Sequence, residues 1–279
     1  MISKLLVISG AGEYPRLVVE GARRAGVSRI DVMAVKGSCA RSTARMGDSV
    51  RSFAVGESDQ AMKWAADEGY DGAILAGQVN PMSLFRGRFD ETVRRWLREM
   101  PVKNAHTIFG KLVSEFELRG VKMLPASLYM DGHIPGAETL TERGLSATEL
   151  DDVRRGMQVA ADVGRHDVGQ TVLVKSGMVL AVEAFEGTNA AIVRAGRLSR
   201  GSVLCKAARE GHDWRFDIPV AGLTTLKKMK KAGVTALAFQ AGRLILLDRE
   251  EVVSFANRHG IAVVGVDSGL PPAPLRPVS

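Results

Sequence analysis

Two stretches of this 279-residue chain concentrate the residue types that phosphate chemistry uses. In "AVEAFEGTN", Glu183 and Glu186 close an apolar run, and Thr188 and Asn189 stand where a helix begins. Two carboxylates beside a helix start can share a divalent cation, because Mg2+ takes oxygen ligands and often only one or two protein carboxylates. A solvated hairpin edge would have the same spacing. In "CKAAREGHDWRFDIPVAG", Lys206, Asp213, Arg215 and Asp217 stand close together. Asp217 lies between Phe216 and Ile218, just before a proline. A carboxylate in an apolar frame needs a cation or a metal as partner. An ion pair with a neighbouring arginine would also satisfy it.

Two glycine loops offer phosphate contacts of another kind. "VISGAGEYP" sets Gly10, Ala11 and Gly12 between an apolar strand and a helix. Glycine there lets backbone N–H groups approach a phosphate, and a helix N-terminus favours negative charge. A dinucleotide fingerprint needs a third glycine where the chain has Pro15, and no Walker GK[ST] follows. The expected ligand is therefore a nucleotide or nucleotide-sugar diphosphate rather than NAD, with a plain tight turn as the alternative. "AGQVNPMSLF" follows another apolar strand. Ligands of open parallel sheets bind beyond the strands' carboxyl ends, so Gly77, Gln78 and Asn80 are expected to line the same crevice. The alternative is a polar loop that only caps the next helix.

Other chemistries find little support. No GxSxG or HExxH occurs, and His106, His133, His166, His212 and His259 are scattered, as surface or loop residues would be. Cys39 and Cys205 form no CxxC or Cys/His cluster, which points to a reducing compartment and away from structural zinc. The net charge of +7 suits a generally basic surface, a phosphate compound or an anionic membrane face. The basic residues are spread out and aromatics make up only 5%, so nucleic acid is not an expected partner. No signal peptide or membrane span is legible.

The positioning elements follow from periodicity. The first half alternates strands ("KLLVISG", "RIDVMAV", "SVRSFAV", "YDGAILAG") with helices, one of them "SDQAMKWAADEG" with Ser58 as expected N-cap. This rhythm predicts a parallel sheet covered by helices. Helices over roughly Asp90–Met100 and Ala105–Arg119 and a short strand "VKML" come next. The style changes after "DGHIPGAETLTERG". A helix then opens with a capping box, Ser146 and Glu149. "QTVLVKSGMVLAVEAF" reads as a hairpin around "KSG", and "VTALAFQAGRLILLDR" as a second hairpin turning at Gly242. The fold class expected is α/β: an N-terminal Rossmann-like parallel-sheet domain over residues 1–136, and a distinct C-terminal α/β domain with mixed or antiparallel hairpins over 137–279. The tail "SGLPPAPLRPVS" is expected to be loose.

The segments together are more specific than any one of them. "GAGEYP", then "GLSATELDDVRRGMQVAADVGRHDVGQTVLVKSGMVLAVEAFEGTNAAIVRAG", then "DWRFDIPVAGLTTLKKMKKAGVTALAFQAGRLILLD", with "GIAVVGVD" closing, resemble the LpxI family of UDP-2,3-diacylglucosamine pyrophosphatases. The resemblance covers nearly the whole chain and is densest from Thr141 to Asp267. It implies a cytoplasmic enzyme, peripheral on the bacterial inner membrane, that makes UMP and 2,3-diacylglucosamine 1-phosphate in lipid A synthesis. Mg2+ (or Mn2+) is the implied cofactor, and the family's essential aspartate falls on Asp217. The chain departs from the family at "KNAH", Lys103 to His106, where members carry acids, and at Asn189, where they carry aspartate.

Combining residues and resemblance, Asp217 with Glu186 or Glu183 is expected to hold the metal on the diphosphate. Lys206 and Arg215 offset phosphate charge, and Gly10, Ala11, Gly12, Gly77, Gln78, Asn80, Thr188 and Asn189 bind substrate. The expected partners are a lipid-linked nucleotide sugar, the inner membrane surface and a second copy in a homodimer. The competing readings are a non-catalytic nucleotide-sugar or lipid-binding homologue and a Rossmann oxidoreductase. The missing third glycine counts against the latter, as does Asp31, which begins its strand rather than ending it.

Overall fold

The computed structural model describes residues 2–79, 89–102, 104–209 and 211–267. Asn80, Lys103 and the Pro-rich tail lie outside the described residues. The chain divides into two compact units, and one is interrupted by the other. The first runs to Asp131 and takes in the segment Trp214–Asp217; the second holds Gly132–Asp213 and the described residues 218–267.

The first unit is built on four parallel strands, β1 (Lys4–Ser9), β2 (Arg29–Val35), β3 (Ser49–Phe53) and β4 (Gly72–Ala76), in the order β3-β2-β1-β4. Leu5, Leu6 and Val7 are fully buried, as a strand covered on both faces requires. Helix α1 (Tyr14–Arg24) starts with Pro15 in its first turn, where a missing N–H costs nothing, and buries Leu17, Val18, Val19 and Ala22. A short α2 (Arg41–Ala44) follows β2, and α3 (Ser58–Asp67) follows β3. Ser58 is not the cap of α3: its hydroxyl donates to the Val55 carbonyl, and Asp90 accepts from the Asp59 N–H instead. A carboxylate reaching in from another segment thus replaces the local serine. Helices α4 (Glu91–Glu99) and α5 (Ala105–Leu118) are capped by Asp90 and Asn104. The "VKML" segment makes only an isolated bridge, Met123 with Ala73.

The second unit is a three-layer sandwich. Its five-stranded sheet has the order β11-β9-β7-β5-β6, from β5 (Thr171–Lys175), β6 (Met178–Val182), β7 (Val203–Lys206), β9 (Ala236–Gln240) and β11 (Ala262–Val266). Strands β7, β9 and β11 are mutually parallel; β5 and β6 are antiparallel additions. Helix α6 (Ala147–Gly164), opened by the reciprocal Ser146–Glu149 capping box, covers one face. Helices α7 (Thr188–Leu198), α8 (Leu223–Ala232) and α9 (Arg249–Arg258) cover the other, around Leu204, Leu237 and Phe239. The "KSG" hairpin forms as expected. Ser176 and Gly177 both have positive φ, 50° and 77°, as a two-residue hairpin turn needs. Both Asp152 carboxylate oxygens accept from their N–H groups.

The second expected hairpin does not form. Ala236–Gln240 is buried at every position and takes parallel neighbours on both sides. The run after Gly242 supplies instead β10 (Ile245–Leu246), which pairs in parallel with β8 (Val220–Ala221) in a separate ribbon. A strand buried on both faces belongs in the middle of a sheet, where both edges are already used.

Candidate functional site

The second unit brings four polar side chains together from four places in its sequence. Lys206 ends β7, and the antiparallel register sets Thr171, the first residue of β5, beside it. Beyond β6, the Glu183 N–H donates to the Thr171 carbonyl at 2.8 Å. Gly169 lies against the Glu183 carbonyl so closely that any side chain would collide with it. Gly187, at φ 80°, then turns the chain so that Thr188 opens α7. The Lys206 Nζ donates to Thr171 Oγ1 at 3.1 Å and to Thr188 Oγ1 at 2.9 Å. Thr188 spends its hydroxyl proton on Glu183 Oε1 at 2.9 Å.

Glu183 Oε2 is buried and has no hydrogen-bond partner. Its neighbour is the Lys206 ammonium, 3.8 Å away. An ionised carboxylate is an acceptor only, so this oxygen is suited to a cation or an incoming donor. Lys206 is only 4% exposed, which makes it an internal charge rather than a surface one. Glu186 turns away to pair with Arg194 at 2.5 Å, and Asn189 is exposed on the first turn of α7. Around the carboxyl ends of β7 and β9, Gln240 accepts from the Ala208 N–H, and Arg243 is buried, its pKa pushed down by that burial.

The first unit holds the remaining residues in two groups. The strand order reverses at β1, so β1 and β4 flank the switch point where open sheets bind ligands. Their carboxyl-end loops are zipped backbone to backbone. Ala11 N–H donates to Gln78 O at 2.7 Å, Gln78 N–H to Ala11 O at 2.9 Å and Gly10 N–H to Ala76 O at 2.8 Å. A Cβ on Gly10 would stand 2.5 Å from the Gln78 carbonyl oxygen, and one on Gly77 would stand 2.6 Å from that of Ala11. The absent side chains therefore serve the approach of one loop to the other. Gly12, at φ 94°, has open space where a Cβ would go. Asp31 is buried near the opposite end of β2, accepting from the Tyr70 hydroxyl.

The second group surrounds Asp217. The Trp214 carbonyl accepts from the Ala126 N–H, Arg215 grips both oxygens of Glu117 (2.7 and 2.8 Å), and Phe216 stacks on Phe109. Asp217 is half-buried, with Oδ2 3.9 Å from Nδ1 of His106 on α5. His106 and Thr171 are the site residues that sequence reading missed. Thr171 meets Lys206 only through the pairing of β5 with β7, a non-local choice of strand partner. Asp217 and His106 stand 111 positions apart, and no local pattern joins them.

Among the described residues no three acidic, histidine or cysteine side chains form a ready-made metal cage. The donors suit a different arrangement. A Mg2+ ion carried on substrate phosphates needs one or two added carboxylates, and the unbonded Glu183 Oε2 is one such donor.

Comparison with known proteins agrees with this two-unit organisation. The family model for the LpxI N-terminal domain matches residues 4–133, and that for the LpxI C-terminal domain matches residues 136–264. The chain belongs to the LpxI family. It is 29% identical over 276 residues to the Caulobacter vibrioides protein named UDP-2,3-diacylglucosamine pyrophosphatase LpxI, covering 95% of this chain and 98% of that one. A solved structure, the biotin carboxylase domain of the Hydrogenobacter thermophilus 2-oxoglutarate carboxylase, is 14% identical over 64% of this chain and 36% of its own, at a TM-score of 0.25. A likeness that slight says nothing about either fold or chemistry.

Proposed function

We propose that this LpxI family member hydrolyses UDP-2,3-diacylglucosamine to UMP and 2,3-diacylglucosamine 1-phosphate, with Mg2+ (or Mn2+), at the cytoplasmic face of the inner membrane in lipid A synthesis. The near-full-length similarity to the Caulobacter pyrophosphatase supports the substrate. The observation that carries the chemistry is the Lys206–Thr188–Glu183 chain, which leaves one buried carboxylate oxygen without a hydrogen bond.

In the reaction, water adds to the phosphorus on the sugar side, and the bond from that phosphorus to the bridging oxygen breaks. The bridging oxygen departs with UMP, and the proton lost by water ends on solvent or product. A divalent cation supplies charge neutralisation on the diphosphate and a lower pKa for bound water. In the second unit Glu183 is the carboxylate that would hold it, with Glu186 as another once released from Arg194. Asp217 orients the attacking water. Lys206 fixes the hydroxyl of Thr188 and thereby the rotamer of Glu183, and its buried charge favours anionic phosphate nearby.

Incubation with UDP-2,3-diacylglucosamine and Mg2+ in 18O-labelled water tests the reading. The expected result is UMP free of label, label in the sugar 1-phosphate, and loss of both products in excess chelator. Tight substrate binding without UMP release would favour the non-catalytic homologue instead.

A further inference from the structure

Helices α7 and α8 contain six cations and no acid: Arg194, Arg197, Lys227, Lys228, Lys230 and Lys231. They lie side by side on the same face of the sheet, with Gly196 packed so tightly on Ala232 that a Cβ there would stand 2.6 Å from that of Ala232. Their apolar residues Ile192, Ala195, Leu226 and Met229 turn inward. The outward side carries Arg194, Arg197, Lys227, Lys230 and Lys231, with the half-buried Lys228 at its border and with Leu198 (65% exposed) and Val193 among them. Arg194 pairs with Glu186, but among the described residues none of the other five makes an ion pair. Elsewhere the surface cations are commonly paired, as Arg16, Arg23, Lys36 and Arg98 are.

Helix dipoles account for part of this pattern. Arg197, Lys230 and Lys231 sit in last turns, where positive charge is favoured. Lys227 and Lys228 lie mid-helix and have no such reason. An exposed leucine inside a cationic field is the composition of a surface that meets anionic headgroups and dips an apolar side chain below them. A nucleic-acid surface would be expected to offer aromatic or amide groups among the cations, and neither helix carries any outward except Asn189 at the far end.

We propose that the outer face of α7 and α8 docks on an anionic phospholipid bilayer. Helix α7 begins at Thr188, in the polar cluster, and its cations begin six residues later, about 9 Å further along the axis. Docking through this face would hold the cluster near the headgroups. The inference rests on the membrane placement proposed above and names the surface that makes it; it does not need the hydrolysis, since binding is read without any turnover.

The test uses the full chain and vesicles of phosphatidylcholine alone or mixed three to one with phosphatidylglycerol. Wild type should float with the mixed vesicles, stay free of the neutral ones and be released by high salt. Each cation near such a surface is worth on the order of five-fold in partition, so Lys227→Gln/Lys228→Gln/Lys231→Gln should lose roughly 100-fold. Its melting temperature and its hydrolysis of detergent-dispersed substrate should match wild type. Equal binding by the triple variant, no preference of wild type for the anionic vesicles, or tighter binding to a DNA duplex than to them would overturn the proposal. Salt-sensitive vesicle binding without any release of UMP would leave this surface standing and remove the hydrolytic reading alone.

Discussion

Lys206 and Glu183 do not bond to each other directly; the hydroxyl of Thr188 joins them, accepting from the ammonium at 2.9 Å and donating to the carboxylate at 2.9 Å. One hydroxyl thereby fixes two buried charges. Thr188→Val keeps the shape and removes both bonds. Hydrogen bonds to charged groups are worth about 1.5–3 kcal/mol each, part of which relaxation recovers. The second unit should lose about 2 kcal/mol, and turnover should fall with it. Thr188→Ser should restore both. Equal stability and turnover in the valine variant would mean that the chain of bonds is incidental.

The two zipped loops of the first unit predict an order among glycine substitutions. Gly12→Ala meets no neighbour and suffers only its positive φ, roughly 1–2 kcal/mol. Gly77→Ala combines a φ of 87° with a 2.6 Å approach to the Ala11 carbonyl oxygen, and should cost more. Gly10→Ala, at 2.5 Å from backbone, should lie between the two or match Gly77. The three tryptophans, Trp64, Trp96 and Trp214, all belong to the first unit, so tryptophan fluorescence during urea unfolding follows it selectively. Three equal midpoints would contradict the zipped geometry.

Cys205 gives a pH signature in the second unit. Burial, with Asp152 adding to it, pushes its thiol from 9.0 up to about 12. The native state keeps this proton up to about pH 12, whereas the unfolded chain releases it near 9.0. Between these values the unfolded state binds fewer protons, so stability falls as pH rises, at a limiting slope of about 1.4 kcal/mol per pH unit from this group. Cys205→Ala should flatten that part of the curve and be a little less stable at neutral pH. In native protein the half-exposed Cys39 should react with a thiol reagent well before Cys205.

What was legible in the sequence was what local chemistry determines. "KSG" specified its turn because Ser176 and Gly177 can take positive φ, and Ser146 with Glu149 specified the start of α6. The βα rhythm gave the parallel sheet of the first unit. Strand partners are a non-local choice, so the run after Gly242 looked like the return of a hairpin while its neighbour had already found β7 and β11. The candidate residues divide the same way. Glu183 and Thr188 are five positions apart and do meet. Arg215, expected beside phosphate, is gripped by Glu117, 98 positions away. The excursion of Trp214–Asp217 into the first unit has no local signature, because it depends on Phe216 finding Phe109 and His106.

That excursion makes Asp217 the most informative single substitution. Its side chain is 22% exposed, and its Oδ2 lies 3.9 Å from Nδ1 of His106, beyond hydrogen-bond reach. A contact of this kind between partly exposed side chains contributes about 0–1 kcal/mol to stability. Asp217→Asn keeps the shape and removes the charge, so the melting temperature should stay within about two degrees of wild type. If the carboxylate orients water or holds the cation only as the transition state forms, turnover should drop by 100-fold or more while KM changes little. Loss of a negative charge near a diphosphate would, if anything, tighten binding. The structural alternative predicts the reverse, a lower melting temperature with near-normal turnover in whatever remains folded. Turnover, KM and melting temperature measured on one preparation separate the two, and a destabilised but fast variant would remove Asp217 from the reaction.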